Sequence, residues 1–238
     1  MASFYTSRIL IGVVAVGVSA CMTPLGTSSS PATETSVAPE YASQRLQGKS
    51  LAIVAPRTVV LSDTAGLRRH VLPDAANLDS AFVDFALAQV APRLLELPAF
   101  IEVSGRSLER FPENVMAPEP GTQFSFDGYV PDVVLFIDTI SLHRGERLTG
   151  GYMTGGMSTP GGQTPGMSVP GGSSRTLVVE GDFLFWDNHE GRFIQRGHAL
   201  NEGSFSLINR ERYATIVGGL VAEMVKNGPM RRTPRGVR

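Results

Sequence analysis

Apolar positions along this chain fall into runs of different period. The first, residues 9–18 (ILIGVVAVGV), is unbroken and uncharged. It is too short for a permanent membrane span, which needs about 20 apolar residues. Residues 22–49 show no apolar period and are dominated by Ser, Thr, Pro and Ala, which predicts a disordered tether. A folded body is predicted from Ser50. Residues 50–61 (SLAIVAPRTVVL) are apolar and β-branched and predict a strand, with Pro56 at an edge or bulge. Residues 78–97 place Phe82, Phe85, Ala86, Val90, Leu94 and Leu97 on one broad helical face. Asn77 or Asp79 supplies the N-cap, and Pro92 is expected to kink or divide the helix.

Residues 99–104 and 131–143 (PDVVLFIDTISLH) read as further strands, the second nearly continuous in its apolar core and therefore buried. Residues 175–187 and 192–206 flank Asn188-His189-Glu190-Gly191, a hairpin signal in which the glycine suits a left-handed position. The last element has the clearest period. Tyr213, Ile216, Val217, Leu220, Val221, Met224 and Val225 follow helical spacing, Asn209 can cap the start, and Asn227-Gly228-Pro229 ends it. Gly218 and Gly219 each cost about 1 kcal/mol of helix propensity, so close backbone approach is expected there. The order of elements predicts an α/β (α+β-like) body over residues 50–227. It is a mixed, largely antiparallel sheet with two helices packed on one face.

The N-terminus changes the picture from fold to address. Residues 1–8 carry one cation, the apolar run follows, and Val18-Ser19-Ala20 precede Cys21. That is the layout of an export leader, with residues 1–20 removed on maturation. Val18-Ser19-Ala20-Cys21 resembles the lipobox of bacterial lipoproteins. The resemblance implies that Cys21 carries fatty acyl chains such as palmitate, each buried methylene adding about 0.8 kcal/mol of membrane affinity. Met22, rather than aspartate, follows the cysteine. By resemblance to enterobacterial sorting this implies the outer membrane, periplasmic face, rather than the inner membrane. As the sole cysteine, Cys21 also rules out an intramolecular disulfide. A 28-residue flexible tether spans roughly 30 Å root-mean-square.

Charge excludes one class. The chain carries a net −1, and loss of the leader, which holds Arg8 and no acid, makes it −2. No general basic field exists for nucleic acid. The basic residues of 228–238 (GPMRRTPRGVR) form a disordered tail or a peripheral contact with anionic lipid.

In order of elements, the body resembles small periplasmic lipoproteins. The Leu51-Ala52-Ile53-Val54 strand, the helix after it, the Val133–Ile137 strand, the Trp186-Asp187 hairpin and the final amphipathic helix carry this resemblance. It points to folds of the TolB N-terminal domain, the curli-secretion lipoprotein and the lipoprotein activator of penicillin-binding proteins. Such proteins are mostly assembly or activator components. The resemblance implies a non-enzymatic accessory role, with an envelope protein or further copies of the chain as partners.

Residues 148–174 contain no charge and repeat an imperfect pentad, Ser158-Thr-Pro-Gly-Gly, Gln163-Thr-Pro-Gly-Met, Ser168-Val-Pro-Gly-Gly. Pro-Gly pairs favour turns, so a mobile extended loop is expected. Its readings are a variable connector, a partner-contacting loop, or soft-metal capture by Met153, Met157 and Met167. A membrane-inserting hairpin is not expected, because large apolar side chains are few.

No Gly-x-Ser-x-Gly, phosphate-binding loop or His-Glu-x-x-His occurs, so no catalytic residue, cofactor or metal is assigned. The best polar cluster is Asp182, Asp187, His189, Glu190 and His198 along one hairpin. It is the basis of the alternative reading, a ligand or metal binder using the Asp187–His198 hairpin or the Met-rich loop. Turn composition explains most of it. His143, Arg144, Glu146 and Arg147 read as a solvated strand end, and Trp186 as core.

Overall fold

A computed structural model describes residues 33–106, 112, 114–149, 152–153, 158–159, 162–163, 168–169, 172–204 and 209–231. Cys21, Met157 and Met167 lie outside the described residues, as do the leader and residues 232–238.

The expected α/β architecture is present. Seven of the described strands form one mixed sheet: β1 (Glu34–Val37), β2 (Lys49–Val54), β3 (Thr58–Leu61), β4 (Phe100–Arg106), β5 (Val133–Thr149), β10 (Gly172–Asp187) and β11 (Arg192–Ser204). Their order is β1-β11-β10-β5-β2-β4, with β3 also on β5. The long ladders β1–β11, β11–β10 and β10–β5 are antiparallel, and β2, β3 and β4 complete a parallel half. Parallel partners need crossovers. The connection from β3 to β4 contains both α1 (Thr64–His70) and α2 (Leu78–Leu95), and α3 (Arg210–Met224) follows β11.

Pro56 divides the first predicted strand into β2 and β3. Both lie parallel to β5, against Val133–Phe136 and Thr139–Leu142 respectively. Between these two stretches β5 bulges at Asp138, where the Arg57 N–H donates to the Asp138 carbonyl (3.1 Å) and the side chains form an ion pair at 3.0 Å. A strand that cannot continue hydrogen bonding through proline is thus matched by a partner that skips a residue at the same level.

The helical faces pack as their spacing predicts. Phe82, Phe85, Val90 and Leu94 of α2 and Tyr213, Ile216, Val217, Leu220, Val221 and Met224 of α3 are buried against the sheet's first face. Asn77 and Asn209 cap the two helices through their side-chain oxygens, to Ser80 N (3.1 Å) and Arg212 N (2.9 Å). Pro92 does not divide α2. It sits close enough to the end that only Arg93, Leu94 and Leu95 follow it in the helix. Close approach accounts for both glycines of α3: a Cβ at Gly219 would collide with the Asn201 side chain on β11, and one at Gly218 would touch the Gln89 carbonyl of α2 at 3.5 Å. At the other end of α3, the buried Gln195 amide donates to the carbonyls of Met224 (2.8 Å) and Lys226 (3.2 Å), which the helix leaves without partners.

The tether expectation fails for its second half. Glu34–Val37 form β1, paired with Gln195–His198 of β11, and Pro39–Tyr41 form a 3-10 turn. Ala38 and Tyr41 are buried in the main core. Gly197 permits this approach, because a Cβ there would collide with the Glu34 carbonyl oxygen. The described residues before Ser50 therefore belong to the compact body.

Among the described residues, no helix packs on the sheet's second face. Residues 114–131 lie across its lower part and bury Phe124 and Phe126 with Val134, Phe136, Leu184 and Trp186. Asn188 staples this segment from the hairpin turn: its side chain accepts from Phe124 N (2.6 Å) and donates to the carbonyls of Phe124 (2.8 Å) and Pro131 (2.9 Å). Trp186 is core, as expected, with its indole N–H on the Thr122 carbonyl (3.0 Å). The turn glycine, Gly191, has φ +60°.

Candidate functional site

The structure separates the polar residues that the sequence groups on one hairpin. Register fixes the split: Asp182 faces His198 across β10 and β11, whereas Asp187 lies at the far end, opposite Arg192. At that end Asp187 accepts from the N–H groups of His189 (3.0 Å) and Glu190 (2.9 Å) and from the Tyr41 hydroxyl (2.7 Å). His189 stands 3.1 Å from Asp132, and Glu190 bonds Arg192 at 2.6 Å. These contacts close a turn and pin neighbouring strands. They do not converge on a common point. Among the described residues, no group of three or more His, Cys, Asp or Glu is arranged to hold a metal ion.

Asp132 ties the starts of two parallel strands together. It accepts from the Ser50 N–H and hydroxyl, both at 2.8 Å, and faces Lys49 at 3.5 Å. Burial pushes its carboxyl up, but the Ser50 hydrogen bonds, Lys49 and His189 outweigh burial and hold it below the usual carboxylate range.

A second polar group lies on the open part of the second face, where β5, β10 and β11 run side by side. His198 Nδ1 is 3.0 Å from Asp182 and its Nε2 is 3.4 Å from Glu180. Glu180 also accepts from the Ser141 hydroxyl (2.8 Å), and His143 lies 3.8 Å away. Asp182 and His198 line both of two shallow hollows of about 540 and 320 Å³, the larger floored by β1 and Arg196, the smaller by Val60, Thr139, Ser141 and Glu180. Asp182 and His198 belong to the hairpin group already legible in the sequence. Glu180, Ser141 and His143 join them only because β5 and β10 pair in this register.

Arg144 leaves the solvated strand end where the sequence places it. Its guanidinium reaches the buried Asp63 at 2.7 Å. The Asp63 carboxylate also caps α1 through Gly66 N (3.3 Å) and accepts from the Tyr213 hydroxyl. Burial, then the bond to Asp63, pushes the Tyr213 phenol far above its ordinary value of 10.0. One carboxylate thereby joins α1, α3 and β5.

No protein family matches the chain, and no curated protein does either. Among solved structures, the chain is similar to the PelC dodecamer from Paraburkholderia phytofirmans. Identity is 13%, the match covers 84% of this chain and 97% of that one, and the TM-score is 0.40. A PelC variant dodecamer from the same organism gives 11% identity, the same coverage and a TM-score of 0.36. At such identity the likeness concerns fold alone. Among the described residues no helix is long and apolar enough to cross a membrane, which leaves strand-based spanning unaddressed.

The uncharged stretch 148–174 differs from the loop that its composition predicts. β5 continues through it to Thr149, opposite Gly172. β6 (Tyr152–Met153) pairs with β9 (Ser168–Val169), and β7 (Ser158–Thr159) with β8 (Gly162–Gln163). Every pair keeps the register set at the base, so the described pieces belong to one hairpin arm. Met153 lies on this ladder. Beyond Leu142 on one side and Thr176 on the other, the arm has no neighbouring strand among the described residues.

Proposed function

We propose that this chain is a lipid-anchored periplasmic protein, held by acylated Cys21 at the outer membrane, that serves an envelope assembly by protein contact rather than by catalysis. The arm carries this reading. A two-stranded ribbon by itself is marginally stable in water, and its outer edges present unpaired N–H and C=O groups. Charged residues commonly guard such edges, yet none occurs from 148 to 174. An envelope partner or a further copy of the chain supplies the missing neighbour. Asp187 and His189 are tied into the strand ends, and His198 lies 3.0 Å from Asp182 on the open face.

The test replaces residues 149–172 by a two-residue Asn-Gly turn. Light scattering and affinity purification from detergent extracts compare this variant with the parent chain. Higher-order species or a reproducible partner in the parent, lost in the variant with its far-UV spectrum kept, is the expected result. A monomer without partner in both sinks the reading. Labelling with a radioactive fatty acid tests the anchor separately: the label is lost in Cys21→Ala, and an unchanged label refutes acylation at this residue.

A further inference from the structure

Among the described residues the sheet ends on β4, which pairs with β2 on one side and has no neighbouring strand on the other. Alternation sorts its side chains between the two faces. Val103 and Gly105 stand opposite Leu51 and Ile53, toward the helices, whereas Ser104 and Arg106 stand opposite Ala52 and Val54, toward the second face. Glu102 shares that second face by the period of two. The register skips Ile101, so regular pairing runs from Glu102 to Arg106. Ile101, at 72% exposure, is the most exposed large apolar side chain among the described residues. Leu95, at the end of the helix that packs against β4, is 50% exposed.

Charges commonly guard an unpaired strand edge against a further strand. On β4 the two charges instead match each other across a twofold axis. When the strand runs antiparallel to a second copy of itself about Ser104, Glu102 of each copy falls opposite Arg106 of the other. Val103 then falls opposite Gly105, where an added Cβ would meet nothing within 4 Å. Arg106 is already held on the required face. Its Nε donates to Ser104 Oγ at 3.3 Å, and its guanidinium lies 4.9 Å from the centre of the Tyr129 ring. β1, at the opposite end of the sheet, has four residues and one charge, Glu34, and so offers no such match to itself.

We propose that β4 is a homodimer edge, along which two copies of the chain join antiparallel over Glu102–Arg106 so that their sheets become one. The contact is isologous, so it closes at two copies, and it does not use the arm. Backbone hydrogen bonds supply the joint, and the two charge pairs set its register. Each opposite-charge pair across strands favours pairing by roughly twofold to fivefold, and a like-charge pair opposes it by as much. Symmetry doubles both effects, so reversing one charge weakens the dimer by about tenfold or more.

Mature chain with Cys21→Ser, which keeps acyl chains from driving association, is followed by sedimentation velocity over a concentration series. Glu102→Arg, Arg106→Glu and the double exchange are measured beside it, and circular dichroism checks that each is folded. The parent and the double exchange should dimerise, and each single variant should need about tenfold more protein, or above, to do so. An equimolar mixture of the two single variants should dimerise as the parent does, because each reversed charge then meets its opposite. A parent that stays monomeric, single variants that dimerise like the parent, or a mixture no tighter than its components overturns the inference. The series is repeated on the chain with residues 149–172 replaced by Asn-Gly. A dimer that persists there with the same response to charge belongs to β4 and stands whether or not the arm has a partner. A dimer lost there belongs to the arm and overturns the inference, leaving the arm reading intact.

Discussion

Tyr41 decides whether the body begins before residue 50. Its ring is 4% exposed within the main core, and its hydroxyl donates to Asp187 at 2.7 Å. Tyr41→Ala withdraws a ring of the class that buries about 150–200 Å². At about 25 cal/mol per Å² that is about 4 kcal/mol. Tyr41→Phe keeps the ring and removes only the hydroxyl. Asp187 retains the His189 and Glu190 N–H groups, so the cost falls to the low end for a bond to a charged group, about 1.5 kcal/mol. In a domain of this size 1 kcal/mol moves Tm by roughly 2–4 °C, which gives a fall of roughly 12 °C for alanine and roughly 4 °C for phenylalanine. Urea denaturation followed by far-UV circular dichroism measures both. Hydrogen exchange at the β1 amides then shows whether β1 and β11 lose protection together. A cost below about 0.5 kcal/mol for Tyr41→Ala, the range of an ordinary surface change, would mean that residues 34–41 are tether and not body.

Tyr213 and Tyr41 are both held protonated beyond the ordinary phenol range, by burial first and then by Asp63 and Asp187. Their stabilisation is complete below pH 10 and is lost as pH rises from there through the folded-state values, by about 1.4 kcal/mol per pH unit for each. Alkaline unfolding of Tyr213→Phe and Tyr41→Phe should each show a correspondingly shallower slope, and an unchanged slope counts against the assignment. Asp132 behaves oppositely. Its depressed carboxyl contributes stability above the ordinary value of 3.8, lost as pH falls through the folded value, so Asp132→Asn should flatten the acid limb of the stability curve. Gly197→Ala drives a methyl into the Glu34 carbonyl and should cost about 1–3 kcal/mol, with exchange protection lost first in β1. Uniform protection loss across the sheet would contradict that local account.

How much was legible follows from the range of the interaction that sets each feature. Helices α2 and α3 were readable with their caps Asn77 and Asn209 and their buried faces. Capping and helical spacing act within a few residues, and the core only has to accept the face so presented. The β10–β11 turn was readable for the same reason, since Gly191 needs φ > 0 whatever lies around it. Helix α1 was missed. It is seven residues long with Gly66 inside, and its start is fixed by Asp63, which also holds Arg144 and Tyr213 from distant elements.

The candidate site divides in the same way. From sequence alone, Asp182, Asp187, His189, Glu190 and His198 form one group, because neighbours in the chain are all that a sequence displays. Strand register then sends Asp182 and His198 to the open face with Glu180, Ser141 and His143, and hands Asp187 to Tyr41. The Gly/Pro-rich stretch reads as a loop because its residues have no local preference for a strand; antiparallel pairing that begins in the body gives it one. The sequence by itself determined the uncharged stretch and the helical faces and predicted a leader with a lipobox cysteine, all from local composition and spacing. Only the tertiary structure decided that residues 34–41 belong to the body, with Glu34–Val37 in the sheet. Four residues of mixed polarity become a strand there because β11 offers unpaired backbone groups and Gly197 leaves room for them.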